Sequence, residues 1–184
     1  SDGDLLFYRM LHAKTSWLLD GCSVEEPAEE TFDEWMASMR FETARDRVKG
    51  SGLTPLNFAI MTGRADLVEA LLDGGASLTS KIKQGIPAHA LAKGATALSI
   101  AVQCARDGSV IELLLRRGAD SRQGIDFAGT TPVNVCSITG NTESVRAFLQ
   151  HDPTLGWEMI GYMPPIAWAF CFGQSHLFAV LRDE

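Results

Sequence analysis

The residue types that could do chemistry are scattered along this chain. His12, His89, His151 and His176 lie far apart, with no histidine pair at helical spacing, and the four cysteines contain no Cys-x-x-Cys, so the spacing a zinc site needs is missing. The glycine pair in Asp73-Gly74-Gly75-Ala76 follows an apolar helical run instead of preceding one, and no phosphate-loop lysine comes after it. No serine sits in a nucleophile-elbow pattern, and Cys136 or Cys171 would need a neighbouring base to act as a nucleophile. These spacings predict no catalytic residue, no cofactor and no metal. One acidic stretch, with Glu25, Glu26, Glu29, Glu30 and Asp33, admits two readings: a docking face for a basic partner or loose cation site, or a solvated helix start where acids favour the dipole.

Bulk properties narrow the classes further. A length of 184 residues with 46% hydrophobic content describes a folded chain of one ordinary domain. No apolar run approaches the roughly 20 residues that cross a bilayer, so direct membrane insertion is not expected. The start, Ser1, lacks the basic-then-apolar order of a signal peptide; a processed product or a piece of something longer is the expectation. A net charge of -7 with no basic stripe to offset it argues against nucleic acid as a partner. Cys22, Cys104, Cys136 and Cys171 show no close pairing and read as free, buried thiols, which suits an intracellular, reducing compartment, the cytoplasm or an organelle reached by a removed targeting segment.

The elements behind these residues are clearest at Gly52 to Leu78. Thr54 can cap a helix and Pro55 suits its first turn, while Leu56, Ala59 and Ile60 recur at helical spacing until Gly63. A second helix from about Ala65 places Leu67, Val68, Leu71 and Leu72 on one face and stops at Gly74-Gly75. Two short amphipathic helices cannot bury these faces alone; such a unit needs neighbours. They are present: GATALSIA from Gly94, GTTPVNVC from Gly129 and the looser YMPPIAWA from Tyr162 repeat the start, and VIELLLRRGAD, ESVRAFLQHDP and HLFAVL repeat the second helix. Upstream, residues 1 to 21 read as an apolar helix, and Thr31 with Glu34 forms a capping box that predicts a helix over 31 to 47.

On these motifs the chain resembles the ankyrin repeat family, whose units look like G-x-T-P-L-H-x-A-A, a glycine turn and a leucine-rich helix ending in G-A-D. The resemblance implies an all-α solenoid of about four helix-turn-helix units with short hairpin loops. Residues 1–50 form an N-terminal helical cap or degenerate repeat, and 51–184 the array, with copies near 52–78, 94–121, 129–153 and 162–184. The family's histidine is replaced by Asn57, Ser99, Asn134 and Ala167; Asn and Ser keep the capacity to hydrogen-bond a neighbouring loop, whereas Ala167 predicts that the last copy lacks that bond. The connection over 80 to 93 is enlarged, making Lys81, Lys83, Ile86 and His89 a candidate contact finger, with a neutral surface loop as the alternative.

The same resemblance implies a non-catalytic protein-binding module that meets its partner through the concave face and hairpin tips. Carried over by position, the helix-end contacts are Met61, Thr62, Gln103, Cys104, Ile138, Thr139, Cys171 and Phe172; the tips are Ser51, Leu53, Lys93, Ala95, Phe127, Thr130, Ile160 and Met163. Among these, Met61, Thr62, Lys93, Gln103, Phe127, Ile138, Thr139, Met163 and Phe172 are the chosen partner-binding residues. A water-facing stripe of Met61, Phe127, Ile138, Met163 and Phe172 would need a cover, a partner chain or the protein's own finger or N-terminal segment, unless these side chains pack between repeats. Two other roles remain open: an accessory subunit of a larger, possibly membrane-associated, assembly, or the regulatory repeats of a longer enzyme or channel. The fourth copy reaches Glu184 without a glycine stop, which predicts more chain or a partner beyond it.

Overall fold

The computed structural model describes residues 31–86, 91–104, 108–123, 130–159 and 163–183. The expected N-terminal helix over 1–21, the acidic stretch through Glu30, and Cys22, His89, Phe127, Ile160 and Tyr162 lie outside the described residues. Among the described residues the elements are nine α-helices and one 3-10 turn, with no strand. In chain order these are α1 (Phe32–Ser38), α2 (Pro55–Thr62), α3 (Ala65–Asp73), α4 (Ala97–Cys104), α5 (Ser109–Arg116), α6 (Pro132–Thr139), α7 (Thr142–His151), the 3-10 turn (Pro153–Gly156), α8 (Pro165–Cys171) and α9 (Leu177–Asp183).

The helices from α2 onward pair as α2/α3, α4/α5, α6/α7 and α8/α9, and the pairs stack. First helices form one column, α2 on α4 on α6 on α8, and second helices form another, α3 on α5 on α7 on α9. Local chemistry sets each boundary. Thr54 caps α2 by accepting from the Asn57 amide, Pro55 opens the helix, and Gly63 closes it at φ 72°. α6 repeats the plan with Pro132 and a left-handed Gly140.

One continuous core runs through the stack between the two columns, including Phe58, Ile60, Leu71, Ile100, Ile111, Leu114 and Phe148. The expected apolar face of α3 is buried at Leu67, Val68 and Leu71, with Leu72 partly so. Trp35, Met36 and Met39 of the α1 region join this core, and Phe41 packs on Phe58 with ring centroids 5.8 Å apart.

α1 is shorter than the helix expected over 31–47. The Thr31–Glu34 capping box forms, but the chain leaves the helix after Ser38 because Arg40 takes a left-handed φ of 58°. Phe41 N then reaches Met36 O at 3.0 Å, the helix-ending hydrogen bond of a Schellman motif, and this turn delivers Phe41 to Phe58. Asp46 secures the following loop, its carboxylate accepting from the amides of Glu42 and Thr43 at 2.6 and 2.9 Å.

Candidate functional site

The stacking of first helices gathers the helix-end residues into one row, since α2, α4, α6 and α8 lie side by side. Thr62 is half-buried and donates to Ala59 O, Gln103 is exposed, and Thr139 is exposed and donates to Val135 O. Met61 and Ile138 are only half-buried, and Met61 packs against the core. Phe172 stands 53% exposed, beside Trp168 at a ring distance of 6.0 Å. Lys93 is exposed and Met163 half-buried at the start of the fourth pair; Phe127 lies outside the described residues.

Three features of the expected surface are corrected. Leu53, Ala95 and Thr130, assigned to hairpin tips, are buried, because each precedes a helix start that turns into the stack. The thiols are not uniformly interior: Cys136 is buried, Cys104 partly so and Cys171 exposed. Asn57 does not turn its carbonyl oxygen to a neighbouring loop; Oδ1 accepts from Thr54 N at 2.9 Å and Thr54 Oγ1 at 3.0 Å, closing the cap of its own helix. Ser99 pairs likewise with Thr96 at 3.1 Å.

The fourth pair, lacking the family's histidine, is tied to the third from another place. Gln174 Nε2 donates to Ile138 O at 3.0 Å, and His176 Nε2 lies 2.9 Å from Gly140 O. One carbonyl lies in the last turn of α6 and the other at its glycine cap, so the segment just before α9 supplies the inter-unit bonds that Ala167 cannot.

Among the described residues, three of the four exposed large apolar side chains lie outside the expected row. Phe170 is 73% exposed, Met159 70% and Trp157 53%. Trp157, Ile166, Phe170 and Phe178, with Arg182 among the walls, line an open groove of about 560 Å³. The repeat register explains the groove. Ile166 stands where Leu56, Leu98 and Val133 stand in the other pairs, and Phe170 where Ile60, Val102 and Ser137 stand; all six are buried. Phe178 likewise replaces Val68, Ile111 and Val145, each with no exposed surface. In the first three pairs the next pair covers these positions; in the fourth Phe170 is exposed, and Ile166 and Phe178 are only half-buried. Aligning the copies by motif marks Ile166, Phe170 and Phe178 as core-type positions, and only the stack shows that the fourth pair leaves them incompletely covered.

Among the described residues no group of His, Cys, Asp and Glu could hold a metal ion. Burial pushes the Cys136 thiol up to about 12, outweighing the Ser144 hydroxyl, which keeps it in the unreactive thiol form. The geometry is that of a rigid stack offering surface, with its large apolar side chains concentrated at one end.

A family model of ankyrin repeats (3 copies) matches residues 22–124, more than half of the chain. The chain belongs to the ankyrin repeat family. No curated protein matches it. Ankyrin repeats generally mediate protein–protein interaction and are typically non-enzymatic, and the all-helical stack of pairs is the solenoid the family name implies. Among the described residues no helix is long and apolar enough to cross a membrane.

Proposed function

We propose that this ankyrin repeat chain is a non-catalytic protein-binding module whose main contact is the open face of its fourth helix pair. The single observation carrying the reading is that Phe170 is 73% exposed and Ile166 and Phe178 only half-buried at positions that the first three pairs bury fully. Fully covering an exposed side chain of this size is worth about 1.5–3 kcal/mol, so Phe170 is the main anchor, with a smaller gain at the half-buried Ile166 and Phe178. Continuity with the internal pair–pair interfaces names the partner's chemistry: a polypeptide presenting an amphipathic helical pair with a narrow apolar stripe. From this face the contact extends past Phe172 to the helix-end row of Met61, Thr62, Gln103, Ile138 and Thr139 and to the hairpin side with Lys93, Phe127 and Met163. The free thiols at Cys104, Cys136 and Cys171 support a reducing, intracellular setting.

A second reading, a permanent accessory subunit of a larger assembly, draws on the same observation, because a face matching permanently buried interfaces suits a permanent contact. The test pairs Phe170→Asp with Phe172→Asp, both exposed residues whose replacement leaves the core intact. The double variant should keep its helical circular dichroism and lose the protein that co-purifies with the native chain from its source. Unchanged association overturns the reading. A discrete homodimer in light scattering, dissolved by the same substitutions, would assign the face to a second copy instead. Fixed stoichiometry through purification selects the subunit reading, and exchange on dilution selects a reversible adaptor.

A further inference from the structure

The chain's charges are segregated in a way its net charge of -7 conceals. Residues 47–65 and 74–106 contain no Asp or Glu, and four of the chain's five lysines, Lys49, Lys81, Lys83 and Lys93, fall within these two stretches. Absence of a basic stripe is therefore corrected at the scale of local surface. The fold joins the two stretches. Lys83 N donates to Ser51 O at 2.7 Å, Arg47 Nη2 reaches Ser80 Oγ at 2.7 Å, and Gly94 N and Ile82 N donate hydrogen bonds to Ile82 O and Ala95 O at 3.0 and 3.1 Å. The turn at 48–53 thus meets 83–84 through Ser51, and Ile82 meets 94–95, so the three stretches converge on one side of the stack.

The cations of these stretches are exposed. Ile82 is buried while Lys81 and Lys83 on either side are exposed, as are Arg47, Lys49 and Lys93. Among the described residues no salt bridge joins any of these five to a carboxylate, whereas Arg64, Arg116, Arg117 and Arg122 are all paired. Arg117 and Arg122 join successive helix pairs, Arg64 and Arg116 make local pairs, and the described lysines are left on the hairpin side.

We infer that this lysine platform is the docking site for a carboxylate-rich segment of a partner polypeptide. The inference rests on the protein-binding reading and gives its hairpin side a partner chemistry. Three observations favour carboxylates over other anions. Residues 47–53 and 80–95 hold no aromatic side chain on which a nucleic-acid base could stack, apart from the imidazole of His89. The platform has one arginine, with a nitrogen already given to Ser80, so the bidentate forks suited to phosphate are scarce. Leu53, Ile82 and Leu91 are buried, which leaves little apolar surface to enter a lipid interface. The negative remainder of the chain also repels long polyanions, whereas a short acidic segment meets only the local field.

The test is fluorescence anisotropy of a labelled decaglutamate peptide with the full chain at about 50 mM salt, where exposed charges act over more than 10 Å. Binding is expected, weakening as salt rises, and falling at least tenfold in Lys81→Glu/Lys83→Glu/Lys93→Glu but not in Arg116→Glu, which lies on the second-helix column. If the triple Glu variant fails to fold, the Lys→Gln triple supplies the readout, with a loss of at least threefold expected. No binding to the wild-type chain, or equal binding by the variants, overturns the inference. So does tighter binding of twenty-residue polyuridine RNA or of phosphatidylcholine vesicles carrying phosphatidylserine. Failure here with the Phe170/Phe172 result intact removes only the carboxylate chemistry; loss of partner association in the phenylalanine variant alone leaves the platform standing.

Discussion

Asp152 does more to hold the second and third pairs together than its place on the surface suggests. Its carboxylate accepts from Thr154 N at 3.0 Å and Thr154 Oγ1 at 2.7 Å, capping the 3-10 turn, and it pairs with Arg122 at 2.7 Å. Arg122 also binds Glu158 at 2.8 Å, so one guanidinium joins the exit of the second pair to that of the third. The Thr154 hydroxyl first, then the Arg122 guanidinium, hold the Asp152 carboxyl down from its ordinary 3.8 to about 2. Because the folded value is the lower one, its stabilisation is present above about pH 4 and is lost as pH falls towards 2. Asp152→Ala should cost about 1 kcal/mol in urea unfolding at neutral pH through the lost cap. Asp152→Asn, which keeps a capping oxygen, should cost less and flatten the stability profile between pH 4 and 2. Thiol chemistry gives an independent check at the same scale. With Cys22 replaced by Ser, Cys171 should react first with an aromatic disulfide reagent at about pH 8, Cys104 more slowly, and Cys136 only on unfolding, as mass spectrometry of the labelled sites would show.

At the scale of elements, the joints between pairs carry the sharpest constraints. A Cβ on Gly108, at the start of α5, would sit 2.8 Å from Glu143 O and 3.2 Å from Glu143 C on the next pair, and backbone atoms there cannot step aside. Gly108→Ala should therefore destabilise the chain by about 1–3 kcal/mol in urea unfolding, as overpacking does. A cost near zero would mean that the second and third pairs are not this close. Phe148 of α7 has no exposed surface, and Phe148→Ala should cost about 3–5 kcal/mol. The helix starts were legible in the sequence because the Thr54 cap with Pro55, and Pro132 after a Thr131 whose side chain makes no cap bond, set the boundary within a few residues. The end of α1 was not, since no glycine marks it. Arg40 accepts a left-handed conformation only because the resulting turn buries Phe41 against Phe58, a contact made in space and not along the chain.

For the whole molecule, the stack separates its surface into two kinds. The outward face of α8/α9 is apolar and the hairpin side around 47–52, 80–84 and 91–95 is cationic. Covering the first should be insensitive to salt and contact with the second sensitive to it, so the salt dependence of partner association reports which surface dominates. Association that persists at about 0.5 M salt yet disappears in Phe170→Asp/Phe172→Asp would assign the affinity to the open face. Exposed ion pairs such as Arg117 with Asp73 and Glu69 link the first two pairs at 2.6 and 2.9 Å, but with partners more than half exposed they are worth little singly. Cohesion of the solenoid resides in the shared apolar core.

Sequence alone determined the repeat, its helix starts and the family, because these depend on residues a few positions apart: a cap, a proline, a glycine and apolar spacing. It also held the two surface clues, the acid-free stretches with their lysines and the large side chains at Ile166, Phe170 and Phe178, without giving them meaning. Tertiary structure decided that meaning. Whether Phe170 is core or surface depends on the presence of a neighbouring pair over it, and whether Lys49 and Lys83 act together depends on a hydrogen bond between segments distant along the chain. The same physics turned the expected tips Leu53, Ala95 and Thr130 inward, since burial belongs to the packed stack and not to a position within a motif.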